Sequence, residues 1–502
     1  MRKKKNKSGS VSVQIIQKIG RNNQLVKTIG SGIDPDQIRL LESQAHLEIS
    51  KIKGQKALFE SKRDRDMLEA LSSLANSEVE LYGPEKYLGG IYCSIGYDKV
   101  GDSEFFKELV ISRLVYPGSK LKTVDYLRRY KSLDISVYAV YRYMDKLQNH
   151  YKDQVEQLTF KHFKKVLGGK IGMVFYDMTT LYFETPDEDD LRKIGYSKDG
   201  KHQHPQIKLG VLVGKSGFPI GYDIFEGSIY EGHTLIPMLE KVAKKFNIER
   251  PVVIADAGLL SNKNIAALIK SGYEFILGGR IKNESDDIKK QISELQVDES
   301  SSSEIRKDTH RLIVSYSSKR AAKDRFNRER GLTRLEEKVK RGKLDKKAIN
   351  NRGYNKYLKL EKEVKVSIDY DKYAQDAKWD GLKGYLSNTK LKRVQIIDAY
   401  NNLWHIEKAF RISKTDLKIR PIYHRIPKRI KAHLCICFVA YAIYKELERI
   451  LEKKKAEISA TRAVDLTKNM YQIKTTLPDS KQPIKIPLKM TEEQVYLTKL
   501  LE

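Results

Sequence analysis

The run from Lys170 to Arg280 constrains the fold most, because its hydrophobic pattern changes period in a fixed order. "KIGMVFYDMTTLYFE" predicts a strand, and "PQIKLGVLVG" and "FPIGYDIFEG" predict two more joined by the turn "KSG". "HTLIPMLEKVAKKFN" then reads as a helix, "PVVIADAG" as a strand, "SNKNIAALIKSG" as a helix capped at Ser261, and "YEFILGGR" as a strand. Three hairpin-joined strands followed by alternating helix and strand require a mixed sheet with helices on its faces. The fold class is α/β.

The flanking segments differ. "VSVQIIQK" and "NQLVKTIG" alternate around "IGRNN" and predict a hairpin, followed by a helix from "DPDQIRLLESQAHLEISKIKG". The basic start "MRKKKNK" reads as a solvated tail or a phosphate-touching arm. Within "SKLKTVDYLRRYKSLDISVYAVYRYMDKLQNHY" two helical patterns meet near "KSLDIS", which suits a helix-turn-helix DNA reader and equally a plain bundle. Residues 282–380 break the core's rhythm and read as a partly β insertion. Its Lys- and Arg-rich run is either a solvated helical hairpin or a clamp in which Tyr354, Tyr357 and arginines meet phosphates. The implied divisions are a helical N-terminal region over 1–165, a core over 166–281 and 381–450 around the insertion, and a tail over 451–502.

Two core strands carry the same feature: Asp177 closes "IGMVFYD" and Asp256 closes "PVVIAD". A carboxylate at the edge of an apolar core needs a cation or hydrogen bonds. A third acid, Glu407, sits in "YNNLWHIEKAFRISK", which reads as one helix burying Trp404, Ile406 and Phe410. At about 100° per residue, Tyr400, Glu407 and Lys414 fall on one stripe of that helix. Glu407 is there either as an ordinary partner of Arg411 or as part of a site. Three carboxylates from separate elements suit Mg²⁺, which takes oxygen ligands and leaves positions for water and phosphate. Two such ions can cut a phosphodiester.

Charge supports a polyanionic partner. Lys plus Arg number 95 against 65 Asp plus Glu, a net +30, far beyond the roughly 2–8 charges that solubility of a small domain needs. The longest apolar run, "LCICFVAYAIY", is shorter than a membrane span and suits a buried helix. Cys93, Cys435 and Cys437 form no Cys-x-x-Cys pair, so neither structural zinc nor a disulfide framework is indicated, and a reducing cytoplasm is expected.

"YDMTTLYFE", "GYSKDGKHQHPQIKLGVLV", "GFPIGYDIFEGSIYEGHTLIPML", "VVIADAGLLSNKNI" and "YNNLWHIEKAFRISK" together resemble the DDE transposases of bacterial insertion sequences, in particular the insertion-sequence-four-like group. The resemblance implies an RNase H-like catalytic core interrupted by the insertion, with a helical N-terminal DNA-binding region. Asp177, Asp256 and Glu407 match the catalytic, metal-holding acids, and two Mg²⁺, replaceable by Mn²⁺, are implied as cofactors. Tyr400, Glu407 and Lys414 match the Tyr, Glu and Lys of the group's YREK signature, while Leu403 stands where the signature has Arg. That phosphate contact is lost or passes to Arg411 or Lys408. Trp404 either stacks on a base near the cut end or packs in the core. Where the family has an Arg-Pro-Asp type of segment this chain has "KHQHPQ", leaving His202 and His204 without an assigned role.

The expected partners are double-stranded DNA, namely terminal inverted repeats and target DNA, with a homodimer in the DNA complex and no membrane. The expected activity is metal-dependent DNA cleavage and strand transfer. The alternatives are an RNase H-like nuclease that does not join ends and a catalytically silent DNA-binding protein.

Overall fold

The computed structural model describes all residues except 21, 53–77, 197–199, 201–202, 260, 300, 343, 345, 351–352, 362–364, 477–479 and 481. Two compact units are present, residues 1–76 and 77–502. In the first, β1 (Arg2–Lys5), β2 (Val11–Ile19) and β3 (Asn22–Gly32) form an antiparallel sheet under the helix Pro35–Ile52. Val13 and Ile15 alternate onto one face and pack with Ala45 of the helix. The basic start, expected as a tail or arm, is instead a strand. Arg2–Lys5 pair with Val11–Gln14, and the Asn6 amide closes the turn by donating to the Ser10 and Ser12 hydroxyls at 2.9 and 2.8 Å. Pairing satisfies the backbone while all four basic side chains stay in water.

The second unit opens with β4 (Val79–Leu81) and the helices Gly83–Ile95, Ser103–Val115, Lys120–Lys131, Val137–Lys146 and Lys152–Val166. The two helices read around "KSLDIS" are present, capped by the hydroxyls of Ser119 and Ser136. They belong to a helical layer around Pro427–Lys453, whose middle is apolar all round and correspondingly buried on every side. Cys435 and Cys437 fill that core, while Cys93 is exposed. No helix among the described residues is long and apolar enough to cross a membrane.

This layer buries positive charge. His433 and His424 face Arg113 and Lys120, and the Lys120 Nζ, Arg113 Nε and His433 Nδ1 atoms lack hydrogen-bond partners among the described residues. Burial, then Lys120, Arg113 and Arg429, push the His424 pKa down to about 3. Burial, then Arg113, Lys120 and His424, hold His433 well below its ordinary value. Unfolded histidine titrates near ~6.5, so below that pH the unfolded chain binds more protons and folded stability falls as pH falls. Lowering the pH from 7 to 5 is expected to cost about 2 kcal/mol per histidine. Glu108, raised to about 7 by burial, titrates in the same window with the opposite sign, so urea denaturation of wild type and His424→Asn at both pH values checks this; equal pH dependence in the two would exclude a buried neutral imidazole at position 424.

The core sheet contains β5 (Met173–Tyr182), β6 (Gln206–Val213), β7 (Pro219–Glu226), β8 (Val252–Ala255) and β9 (Phe275–Gly279). Hairpins make β5, β6 and β7 antiparallel neighbours, whereas β8 runs parallel to β5 and β9 parallel to β8. The resulting order β9-β8-β5-β6-β7 is RNase H-like, as the resemblance implies. Val174, Tyr176 and Met178 face the helices Leu235–Phe246 and Asn262–Lys270; Phe175 and Leu181 face the opposite way, toward Trp404–Arg411 and Pro427–Lys453. Ser261 caps its helix by accepting from the Asn264 N–H at 3.1 Å.

The insertion extends this same sheet. β10 (Ser302–Arg306) and β11 (Arg311–Tyr316) are followed by the helix Ser318–Lys340, a small hairpin of β12 (Leu358–Glu361) and β13 (Lys365–Ile368), and β14 (Leu382–Ser387). β14 pairs antiparallel with both β11 and β9, giving an eight-stranded sheet ordered β10-β11-β14-β9-β8-β5-β6-β7. The basic run is a solvated helix that buries Ala321, Gly331 and Leu335. Tyr357, expected as a phosphate contact in the clamp reading, is buried and donates to Asp376 at 2.5 Å, while Tyr354 stays partly open. The tail is also folded: β15 (Tyr471–Thr476) lies between β16 (Pro483–Pro487) and β4.

Candidate functional site

Strand register brings the two aspartates together. The parallel pairing of β5 with β8 ends at Tyr176 opposite Ala255, so Asp177 and Asp256 are the next residue on each strand. Adjacent strands lie about 4.8 Å apart. Asp177 does not close its strand, as its apolar run suggested. β5 continues to Tyr182, held by β6 after β8 has ended. Period-two alternation puts Asp177 on the face of Phe175 and Leu181, and Asp256 on the face of Ile254. That face is the one covered by the helix carrying Glu407.

Asp177 Oδ1 accepts from the Met178 N–H at 2.7 Å. Asp256 is exposed and does not cap the following turn with its side chain; the Leu259 N–H bonds the Asp256 carbonyl at 3.1 Å. Instead Asp256 Oδ1 accepts from the Tyr400 hydroxyl at 3.1 Å. Tyr400 is buried against Tyr385, ring centres 5.1 Å apart. Burial, then the Asp256 charge, raise the Tyr400 pKa, so the phenol remains a proton donor to that carboxylate.

"YNNLWHIEKAFRISK" is not one helix. Arg393–Asn401 ends, a turn at Asn402 and Leu403 intervenes, Trp404–Arg411 follows, and a wide π turn runs over Ile412–Asp416. The single stripe therefore does not exist as a continuous helical face. Tyr400 and Glu407 still come near each other, since Glu407 and Asp256 both act electrostatically on Tyr400 and on Lys383. Ile406 and Phe410 are buried as expected, but Trp404 is half exposed and its ring lies 3.9 Å from that of His405. Leu403, three residues before Ile406 and seven before Phe410, shares their buried face at about 100° per residue, and Trp404 falls off it.

The other expected contacts are dispersed. Lys408 is ion-paired with Glu448, Lys414 lies over the Phe410 ring, and Arg411 is exposed. His204 hydrogen-bonds the Phe183 carbonyl at 3.1 Å, and His202 lies outside the described residues. Buried Thr179 and half-buried Thr180 are ladder residues of β5.

Two residues that the sequence pattern did not single out shape the site. A Cβ at Gly278 would fall well inside contact distance of the Tyr400 hydroxyl and 3.0 Å from the Ala257 nitrogen, so only glycine lets Tyr400 reach Asp256. Lys383 of β14 holds its ammonium 4.6 Å from the Tyr400 ring centre and 5.2 Å from that of Tyr385. Burial and Arg320 lower its pKa, while Asp256 and Glu407 oppose that shift. Neither residue carries a local sequence signal, because both act across strands.

The donor set of Asp177, Asp256 and Glu407 is all oxygen and is open to solvent at Asp256 and Glu407, which fits a hard cation that retains water and phosphate ligands. Among the described residues, no three His, Cys, Asp or Glu side chains already lie close enough together to enclose an ion. The acids stand as separate arms, two set by strand register and one by a helix.

No curated protein sequence matches this chain. Among solved structures, a piggyBac transposase synaptic complex with hairpin DNA is 9% identical, covers 77% of this chain and 77% of its own, and has a TM-score of 0.37. A Mos1 mariner paired-end complex with Mn is 14% identical over 32% of this chain and 54% of its own, TM-score 0.15. A Mos1 transposase paired-end complex with left transposon end is 12% identical over 46% of this chain and 71% of its own, TM-score 0.16. The family model described as Transposase DDE domain matches residues 169–443, more than half of the chain, and the protein belongs to that family.

Proposed function

We propose that this chain is a DNA transposase of the insertion-sequence-four-like group that binds the terminal inverted repeats of its element, cleaves there and joins the freed end to target DNA. The observation that carries the reading is the register of β5 against β8, which sets Asp177 beside Asp256 on the sheet face that also receives the Glu407 helix. Asp177, Asp256 and Glu407 would hold two Mg²⁺, or Mn²⁺ in their place, once brought together around them. When bound, such ions activate a water or hydroxyl and stabilise the leaving oxygen of a phosphodiester. Tyr400 fixes one Asp256 oxygen, leaving the other free to bind a ligand. The net +30 charge supports binding of the polyanion. Tyr400, Trp404, Lys408, Arg411 and Lys414 are the DNA contacts the resemblance suggests, and of these exposed Trp404 is suited to stacking on an unpaired base. A homodimer holds two ends at once and works on nucleoid DNA.

Labelled duplexes carrying the sequence that flanks the gene, incubated with the protein in Mg²⁺ or in chelator, test this reading. Cleavage and joined products are expected with Mg²⁺ only, and binding is expected in both. Binding should weaken steeply with salt, the log-log slope gaining about 0.9 for each phosphate neutralised. A flat salt response would remove the polyanion argument, and cleavage without joined product would favour the nuclease reading.

A further inference from the structure

Leu403 is buried and uncharged at the place where the related signature has a phosphate-binding Arg. The two substitutes suggested by sequence are poorly placed for that duty. Lys408 is held by Glu448, which also binds Lys445, and Arg411 lies toward Asp416. Lys383 is different. It makes no ion pair among the described residues, and its ammonium rests against the ring of Tyr400, the residue bonded to Asp256. A cation over an aromatic ring is held in place without being neutralised.

Lys383 stands where two open clefts meet. Two clefts, of about 510 and 490 Å³, share Lys383 and Arg320 in their walls. The first continues past Arg280 to Lys282 and Lys356, which both pair with Asp376, so among the described residues its unpaired positive charge lies at the Lys383 end; the second passes Ser302, Ser317 and Asn401, with Glu299 at its edge. Arg320, on the first turn of Ser318–Lys340, keeps only a loose pair with Asp324 at 3.5 Å. β14 places Lys383 beside β9, whose Gly278 accommodates Tyr400.

We propose that Lys383, backed by Arg320, binds the DNA phosphate next to the scissile bond and so fills the role that Leu403 cannot. The proposal rests on the transposase reading above. A lysine is a point charge that reaches a phosphate oxygen without the planar geometry Arg demands, which suits delivery from a neighbouring strand rather than from the Glu407 helix.

Single-turnover nicking of a labelled element-end duplex in Mg²⁺ tests it, with full-length Lys383→Met, Lys383→Arg and Asp256→Asn. Lys383→Met is expected to slow nicking about 10²-fold, as for loss of one preorganised donor to a reacting group. End binding and the thermal midpoint should change little, and Lys383→Arg should recover much of the rate. A methylphosphonate at the phosphate beside the cut should slow the wild type and slow Lys383→Met no further. Wild-type nicking by Lys383→Met would overturn the proposal, as would a rate loss that tracks a lower thermal midpoint and that arginine does not rescue. Wild-type nicking by Asp256→Asn would instead overturn the reading of the site itself.

Discussion

Asp177→Asn, Asp256→Asn and Glu407→Gln should each lower cleavage of end DNA by at least about 10³-fold while leaving end binding within a small factor of wild type, since metal stabilisation of transition-state charge is worth several kcal/mol. Each change removes a negative charge and one ligand oxygen while preserving volume. Asp256 and Glu407 are exposed and Asp177 is only half buried, so the folded state should tolerate all three. On the proposed reading duplex binding draws on the excess of Lys and Arg, so removing one carboxylate should not weaken it. Gel-shift and cleavage assays on the same preparations separate the two effects. Near wild-type cutting by any one variant would remove that residue from the proposed triad.

Gly278→Ala should reduce cleavage about 10²-fold, because displacement of a positioning group by about 1 Å can cost that much. The added methyl meets the Tyr400 hydroxyl and, at 3.0 and 3.1 Å, the Ala257 nitrogen and Cβ. Tyr400 cannot swing away freely, since Tyr385 stacks edge-on against it and its ring is buried. The clash therefore pushes on Tyr400 and on the backbone directly after Asp256. Overpacking of this kind destabilises by about 1–3 kcal/mol, which urea denaturation would register. Tyr400→Phe is the comparison: it removes only the 3.1 Å bond to Asp256 and should cost less than Gly278→Ala in both rate and stability. Equal losses in the two variants would mean that the hydroxyl alone, and not the close approach at Gly278, positions Asp256.

Much of the core was legible because its signals are local. The alternation in "PQIKLGVLVG" and the capped helix at Ser261 are properties of short windows, and both elements are present. The buried fate of "LCICFVAYAIY" followed from its apolar circumference. The errors have equally specific causes. "IGMVFYD" resembled a strand ending at its aspartate, but a strand can continue on one neighbour after losing the other, as β5 does on β6. "YNNLWHIEKAFRISK" carries helical periodicity throughout, yet the chain turns at Asn402 and Leu403. Leu403 is buried and Trp404 exposed, which the spacing to Ile406 and Phe410 at about 100° per residue already favours over a buried Trp404. The arm "MRKKK" has no apolar pattern to announce a strand, and only the presence of β2 gives its backbone a partner.

The sequence by itself determined the element order that makes a mixed sheet, the three acids, the basic excess and the interruption between Asp256 and Glu407, because periodicity, composition and spacing are written along the chain. Only the tertiary structure decided that Asp177 and Asp256 stand in register, that Tyr400 bonds Asp256 through the space left by Gly278, and that β14 returns from the insertion with Lys383 beside them. Those relations depend on pairing between residues far apart in sequence, where register and the face of each strand are set by burial of the whole sheet and not by any one segment.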